Sequence, residues 1–345
     1  MTGHLSRLAN FVWAYKTGRT KLPYGPIFVW LEPTNRCNLK CPLCPTGVGL
    51  KRRRGDMSLE LFETILAKLK KAKPLLLTLH LAGEPLLAPN LTRMVELARE
   101  AGMQTTLSSN GTLLTEEMSQ KLIDSGLQSL RLDFCAEKDH FEKVRFGSSW
   151  EKVYANIIGL LSLKLKTEAQ LPMVRIKDVS TWGLSKQEQK MRMDKLQALF
   201  EEFPIDGYDG LGPLQVHNWA GTFASEHEDP EHHAEDDCRI HPCTHLWTSM
   251  AVTYDGLVVP CCRDLEAECV LGDLKTQELD DIWNGEEILK LRKAMTDGDV
   301  SGVPLCRSCS KVHDKTRFLF YACGYLYMRL HKVIQDARGR SRRSK

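Results

Sequence analysis

No apolar run in this 345-residue chain approaches the roughly 20 residues that a helix needs to cross a bilayer, which excludes helical membrane spans. The first residues also lack the uninterrupted apolar segment of a secretory signal, so a cytoplasmic protein is expected. Internal repeats and low-complexity linkers are missing, which excludes solenoids and favours one large enzyme of one or two domains over an assembly of modules. The excess of positive charge lies in the tail. Arg338, Arg340, Arg342, Arg343 and Lys345 carry five charges of a net +3, leaving −2 for the body by subtraction. No nucleic-acid partner is expected from that balance.

Cysteine, by contrast, is plentiful, with 12 residues. Without a secretory signal these thiols read as metal ligands rather than disulfides. The sharpest grouping is Cys37-Asn38-Leu39-Lys40-Cys41-Pro42-Leu43-Cys44, a C-x₃-C-x₂-C loop. Such a loop offers three thiolates to a four-iron cluster and leaves one iron open to bind a substrate. Zinc is the alternative, but a closed structural zinc site takes four N or S ligands, and no His or Cys follows Cys44 within zinc-finger reach.

Strand and helix patterns alternate from the first apolar run onward. Residues 75–82 form a short apolar run expected to be a buried parallel strand, with Gly83-Glu84-Pro85 at its carboxyl end, where ligands bind in parallel α/β sheets. A glycine there allows close approach of backbone to a ligand, and a carboxylate suits a ligand ammonium. The next strand, 104–108, leads into Ser109-Asn110-Gly111, whose polar side chains suit a ribose or carboxylate; a plain turn is the alternative. Strand 129–134 carries Asp133 in an apolar context. Helices are expected over 59–71, 90–101, 115–125, 150–164 and 186–203, and further strands over 173–180 and 212–219.

Composition turns acidic and His-rich over 222–237, read as a solvated linker, with His227, His232 and His233 as less favoured metal ligands. Beyond it stand Cys243, an Asp255-Gly256 hairpin turn, Cys261, a helix expected over 278–295, and Cys306-Arg307-Ser308-Cys309. The hairpin is expected to place Cys243 and Cys261 on neighbouring strands. Four thiolates so assembled make a closed site for zinc or for an iron–sulfur cluster alike. Cys238, Cys262, Cys269 and Cys323 have no role in this reading and are taken as free thiols.

Taken together, Cys37, Cys41 and Cys44, Met57, Gly83-Glu84-Pro85, Ser108 to Thr112 and the run Phe141-Glu142-Lys143-Val144-Arg145 resemble the radical S-adenosylmethionine superfamily over residues 27–221. The resemblance implies a (βα)₆ partial TIM barrel. It also implies a [4Fe–4S] cluster on Cys37, Cys41 and Cys44 whose open iron is chelated by S-adenosylmethionine, which is cleaved to a 5′-deoxyadenosyl radical. Gly83, Glu84, Ser109 and Asn110 would line the cofactor, Asp133 would hold its ribose, and Arg145 would pair with its carboxylate. Phe134 and Cys135 depart from the Asp-Gly usual after that strand. The second cysteine set, with Leu279-x-x-Ile282-Trp283-Asn284, resembles the SPASM and shortened twitch domains, implying one auxiliary [4Fe–4S] cluster on Cys243, Cys261, Cys306 and Cys309. The intervals between those four are similar to those of family members that oxidise an aminocyclitol.

The organisation expected is an N-terminal helical extension 1–26, the core 27–221, the linker 222–237, the auxiliary domain 238–315 and a C-terminal helix with basic tail 316–345. A fully ligated second cluster cannot bind substrate and is suited to accept an electron. Oxidation of a polar small molecule is therefore expected, with flavodoxin or ferredoxin as electron donor. Peptide maturation is the alternative, disfavoured because the 36 residues before Cys37 leave no room for a fused recognition domain. A non-catalytic iron–sulfur scaffold would have no use for Glu84. Leu5, Leu8, Phe11, Val12 and Tyr15, and the aromatic segment from Phe318 to Tyr327, are expected to pack on the barrel; a peripheral membrane contact with a lipid-linked substrate is the other reading.

Overall fold

A computed structural model describes residues 2–180, 184–203, 211–213, 219–221 and 240–313. Six parallel strands, β1 (Phe28–Leu31), β2 (Leu76–Thr78), β3 (Gln104–Ser109), β4 (Ser129–Phe134), β5 (Met173–Asp178) and β6 (Leu211–Pro213), lie side by side in sequence order. Helix α1 (Thr2–Lys16) precedes them. Then α2 (Pro45–Gly49) and α3 (Leu59–Ala72) connect β1 to β2, and α4 (Leu91–Glu100) and α5 (Glu116–Ser125) make the next two crossovers. α6 (Lys138–Val144) and α7 (Trp150–Lys166) lead to β5, and α8 (Lys186–Ala198) leads to β6. This is the partial TIM barrel expected.

Local chemistry sets the helix ends. The Thr115 hydroxyl accepts from the Met118 amide and caps α5, and Gly126 at φ 77 stops it in the left-handed conformation. Ser58 and Ser149 cap α3 and α7 in the same way, and Ser185 with Glu188 forms a capping box on α8. The apolar stripes of α3 (Phe62, Ile65, Leu69), α4 (Met94, Val95, Ala98) and α7 (Val153, Ile157, Leu160) are buried in one core with Leu77, Leu107, Leu130, Leu132 and Ile176 of the strands.

The second half joins the same sheet. After α9 (His245–Thr248), β7 (Ser249–Val252) pairs in parallel with β1, Phe28 opposite Ser249 through Leu31 opposite Val252. β8 (Leu257–Val259) returns antiparallel through the expected Asp255-Gly256 turn, and β9 (Gly272–Asp273) adds the last strand of a nine-stranded sheet. Helices α10 (Leu279–Trp283), α11 (Glu286–Asp297) and α12 (Pro304–Arg307) follow, and a 3₁₀ turn (Ser310–His313) ends the described chain. The auxiliary hairpin therefore covers the β1 edge of the barrel, which would otherwise be an open ladder.

Several expectations need correction. The helix expected over 278–295 is two helices, because the Asn284 side chain turns away to accept from the Leu22 amide at 2.8 Å and donate to the Leu22 carbonyl at 3.0 Å. Cys243 is not on a strand: it lies ahead of α9, while Cys261 follows β8. The strand expected over 75–82 ends at Thr78, since Nδ1 of His80 takes the Ser108 amide and the chain bends into the Gly83 loop. The helix after Ser185 stops at Ala198, and only Leu211–Pro213 of the sixth strand falls in described residues, with Trp219–Gly221 a 3₁₀ turn. The linker histidines, Cys238, Cys323 and the C-terminal segment lie outside the described residues.

The apolar face of α1 is covered by the protein itself. Phe11 is buried in the core, Leu8, Val12 and Tyr15 pack against it, and the Tyr15 hydroxyl donates to the Pro242 carbonyl at 2.6 Å. Among the described residues no helix is long and apolar enough to cross a membrane.

Candidate active site

The carboxyl ends of β1 to β4 converge on the C-x₃-C-x₂-C loop. That loop leaves β1 and is fixed at both sides. The Lys40 amide donates to the Phe146 carbonyl at 2.9 Å, and the Cys44 amide donates to the Cys41 carbonyl at 3.2 Å. Gly47 of α2 lies directly on Cys41, where a Cβ would stand 2.3 Å from its carbonyl oxygen. The Leu39 amide points at Sγ of Cys37 at 3.5 Å, the kind of donor that stabilises a sulfur carrying negative charge. Burial pushes the Cys37 thiol up to about 11 against the Leu39 hydrogen bond, with Glu84, Cys41 and Cys44 adding to the rise. Burial raises Cys41 as well, opposed by the Arg145 guanidinium. Thiols in this state ionise when a metal takes them.

Gly83-Glu84-Pro85 is built against that loop. A Cβ on Gly83 would lie 2.4 Å from the Thr34 carbonyl oxygen and 2.6 Å from that of Arg36, so only glycine permits this approach, and the Glu84 amide donates to the Arg36 carbonyl at 2.8 Å. The Glu84 carboxylate is buried and accepts from the Leu86 amide (3.1 Å), the Ser109 hydroxyl (2.8 Å) and the Asn110 amide (2.8 Å). A carboxylate has about four acceptor positions, so room for one donor remains. Burial pushes Glu84 up to about 7 despite those hydrogen bonds. Asn110 donates to Asn38 of the cysteine loop at 3.0 Å, and Asn38 donates to Thr112 at 2.8 Å. The polar cluster read as ligand contacts thus also locks the β3 loop to the cysteine loop.

Asp133 and Arg145 meet each other. Nη2 of Arg145 donates to Oδ2 of Asp133 at 2.9 Å, with both side chains largely buried, while Oδ1 of Asp133 finds no hydrogen-bond partner among the described residues and stands 3.7 Å from Nε of Arg131. The two residues assigned separate contacts are therefore a pair beside Cys41. An unpartnered buried carboxylate oxygen there fits a ligand hydroxyl.

The second cysteine set closes into one site. Cys243, Cys261, Cys306 and Cys309 line a single small cavity with His245 and Arg263, although they come from the loop before α9, the segment after β8, and α12 with the turn that follows it. Burial raises Cys261 and Cys306 strongly, and neighbouring thiols add to the rise. Among the described residues no three His, Cys, Asp or Glu side chains gather closely enough for a single metal ion. Four thiols around one cavity are a donor set that a closed, thiolate-held iron–sulfur cluster takes. Cys262 and Cys269 are half-buried nearby, and Cys135 is fully buried.

Glu32 and Arg52 were not read from the sequence as site residues. Glu32, immediately after β1, is fully buried and takes both Nη atoms of Arg52 at 2.8 and 3.0 Å, the Ala82 amide and the Tyr254 amide. Arg52 also donates to the Leu265 carbonyl. One buried pair thereby ties the cysteine loop, the Gly83 loop and the auxiliary hairpin together. A carboxylate directly after an apolar strand was the available signal.

Known proteins agree with this geometry. The radical SAM superfamily profile matches residues 31–178, and the SPASM iron–sulfur cluster-binding domain profile matches residues 243–310. The S-adenosyl-L-methionine-dependent 2-deoxy-scyllo-inosamine dehydrogenase of Niallia circulans is 23% identical over 83% of this chain and 93% of its own. The PqqA peptide cyclase of Gluconobacter oxydans is 22% identical over 84% of each. Among solved structures, BtrN in complex with AdoMet and 2-DOIA superposes with TM-score 0.55 and 21% identity over 82% of this chain and 92% of that one. Streptococcus suis SuiB bound to precursor peptide SuiA gives 0.56 and 16% over 90% and 74%. With a cysteine loop at the carboxyl ends of the barrel strands and four cysteines around one cavity, the chain belongs to the radical S-adenosylmethionine enzymes that carry a C-terminal SPASM domain, working with S-adenosylmethionine on a four-iron cluster and with an auxiliary iron–sulfur centre.

Proposed function

We propose that this enzyme oxidises a polar small molecule of the sugar or aminocyclitol kind, with one auxiliary [4Fe–4S] cluster on Cys243, Cys261, Cys306 and Cys309 taking the electron. The observation that carries this reading is the closed set of four cysteines around one cavity. With every iron held by a thiolate, such a centre has no place for substrate and is left to accept electrons. Similarity to an S-adenosyl-L-methionine-dependent 2-deoxy-scyllo-inosamine dehydrogenase over most of both chains supports the substrate class.

What the first cluster and S-adenosylmethionine supply when bound is a 5′-deoxyadenosyl radical that removes a substrate hydrogen. Cys37, Cys41 and Cys44 hold that cluster. Gly83 opens the space, Glu84 offers its remaining acceptor position to the cofactor ammonium, and Ser109 and Asn110 keep that carboxylate in place. Asp133 would offer its free oxygen to the ribose, and Arg145, already paired with Asp133, would meet the cofactor carboxylate. A flavodoxin or ferredoxin supplies the reducing electron. Peptide maturation is the second reading, favoured by likeness to PqqA peptide cyclases over four-fifths of the chain.

Anaerobic reconstitution should give about eight iron per chain, as two four-iron clusters require. A variant with Cys306→Ala and Cys309→Ala should hold about four, retain S-adenosylmethionine cleavage, and form no oxidised product. Full product from a correctly folded variant would rule out the electron-acceptor role, and turnover of a peptide but no cyclitol would move the assignment to the second reading.

A further inference from the structure

The lining of the auxiliary cavity includes a cation that four-cysteine ligation does not call for. Arg263, two residues after Cys261, is 8% exposed and lines the same cavity as the four cysteines. Nη1 lies 3.5 Å from Nε2 of His245, whose Nδ1 is 2.8 Å from the Ser249 hydroxyl, and Nε finds no hydrogen-bond partner among the described residues. The adjacent Asp264 is engaged elsewhere, accepting from the Glu268 and Cys269 amides, and the groups that favour the Arg263 charge are the sulfurs of Cys262, Cys309, Cys261 and Cys243. A guanidinium keeps its charge at any accessible pH. Burying it without a carboxylate is costly unless other negative charge faces it.

A four-iron cluster held by four thiolates is an anion, and reduction adds one more negative charge. We propose that Arg263 sets the potential of the auxiliary centre: its buried cation stabilises the reduced form and makes the centre a stronger electron acceptor. This rests on the assignment of that cluster to Cys243, Cys261, Cys306 and Cys309. The substrate, having lost a hydrogen atom to the deoxyadenosyl radical, gives one electron to this centre and one proton to water, completing a two-electron oxidation. Without the cation the same transfer is less favourable, although every cluster ligand is intact.

The test is a redox titration of the reconstituted holoenzyme followed by electron paramagnetic resonance, the auxiliary signal being the one that S-adenosylmethionine leaves unchanged. Arg263→Met removes the charge at similar length, and Arg263→Lys keeps it. The expected result is a reduction equilibrium at least tenfold less favourable in Arg263→Met, about 59 mV for a one-electron couple, with Arg263→Lys close to the parent. An unchanged midpoint in Arg263→Met with both clusters present overturns the proposal. If Arg263→Met does not load the auxiliary cluster, Arg263→Gln replaces it in the titration. Failure of both neutral variants to hold the cluster, with or without success of Arg263→Lys, assigns Arg263 to assembly and also overturns it. A parent protein with only about four iron would instead refute the cluster assignment beneath it.

Discussion

Gly83→Ala is the most direct perturbation of the first site, because it adds one methyl group and changes no charge. The new Cβ would stand 2.4 Å from the Thr34 carbonyl oxygen and 2.6 Å from that of Arg36, both backbone atoms of the segment leading into Cys37. Ordinary carbon–oxygen contact needs about 3.4 Å, so one strand of backbone must retreat by about 1 Å; overpacking of this kind costs about 1–3 kcal/mol. The retreat also strains the 2.8 Å hydrogen bond from the Glu84 amide to the Arg36 carbonyl. Misplacing a reacting group by about 1 Å lowers rates by about 100-fold, so 5′-deoxyadenosine formation should drop by at least that much while the auxiliary cluster stays loaded. Gly159→Ala in α7 is the control, since nothing lies within 4 Å of its Cβ position. Iron content and S-adenosylmethionine cleavage in that control should match the parent, and its melting temperature should be equal or higher because Ala replaces Gly inside a helix. A Gly83→Ala enzyme with full iron and unaltered cleavage would refute the close-approach argument.

Glu84 carries a pH signature. Its carboxyl is pushed up to about 7 by burial, above an ordinary value of 4.5, so this group favours the fold below about 4.5 and that contribution is lost as pH rises through 7. A cofactor ammonium favours the ionised form, so binding should release a proton below pH 7 and weaken as pH falls; calorimetry in buffers of different ionisation enthalpy measures this. Glu84→Gln should abolish the proton release and weaken binding by about 1.5–3 kcal/mol, and equal affinity at all pH values would leave Glu84 a purely structural clasp. Glu32→Gln leaves Arg52 buried without its partner and should cost about 3–5 kcal/mol in stability. A loss under about 1 kcal/mol on thermal unfolding would mean that the pair is screened by solvent.

Short-range features were legible because they depend on residues close along the chain. The cysteine spacings, the Thr115 cap with Gly126 after it, the Asp255-Gly256 turn and the alternation of strands with helices are all local, and each stands where it was expected. Contacts between distant segments were not legible, since sequence periodicity says that a face is buried but not against what. Nothing local indicates that β7 extends the sheet at β1, that Asn284 breaks a helix to bind Leu22, or that Asp133 and Arg145 neutralise one another. The same holds for Glu32, whose partners Arg52 and Tyr254 lie 20 and 222 residues away, and for Arg263, an ordinary arginine until four cysteines close around it. By itself the sequence determined which thiols are available and the order of strands and helices. Tertiary structure alone decided which charges are buried together, because the cost of burying a charge depends on partners brought in from elsewhere in the chain.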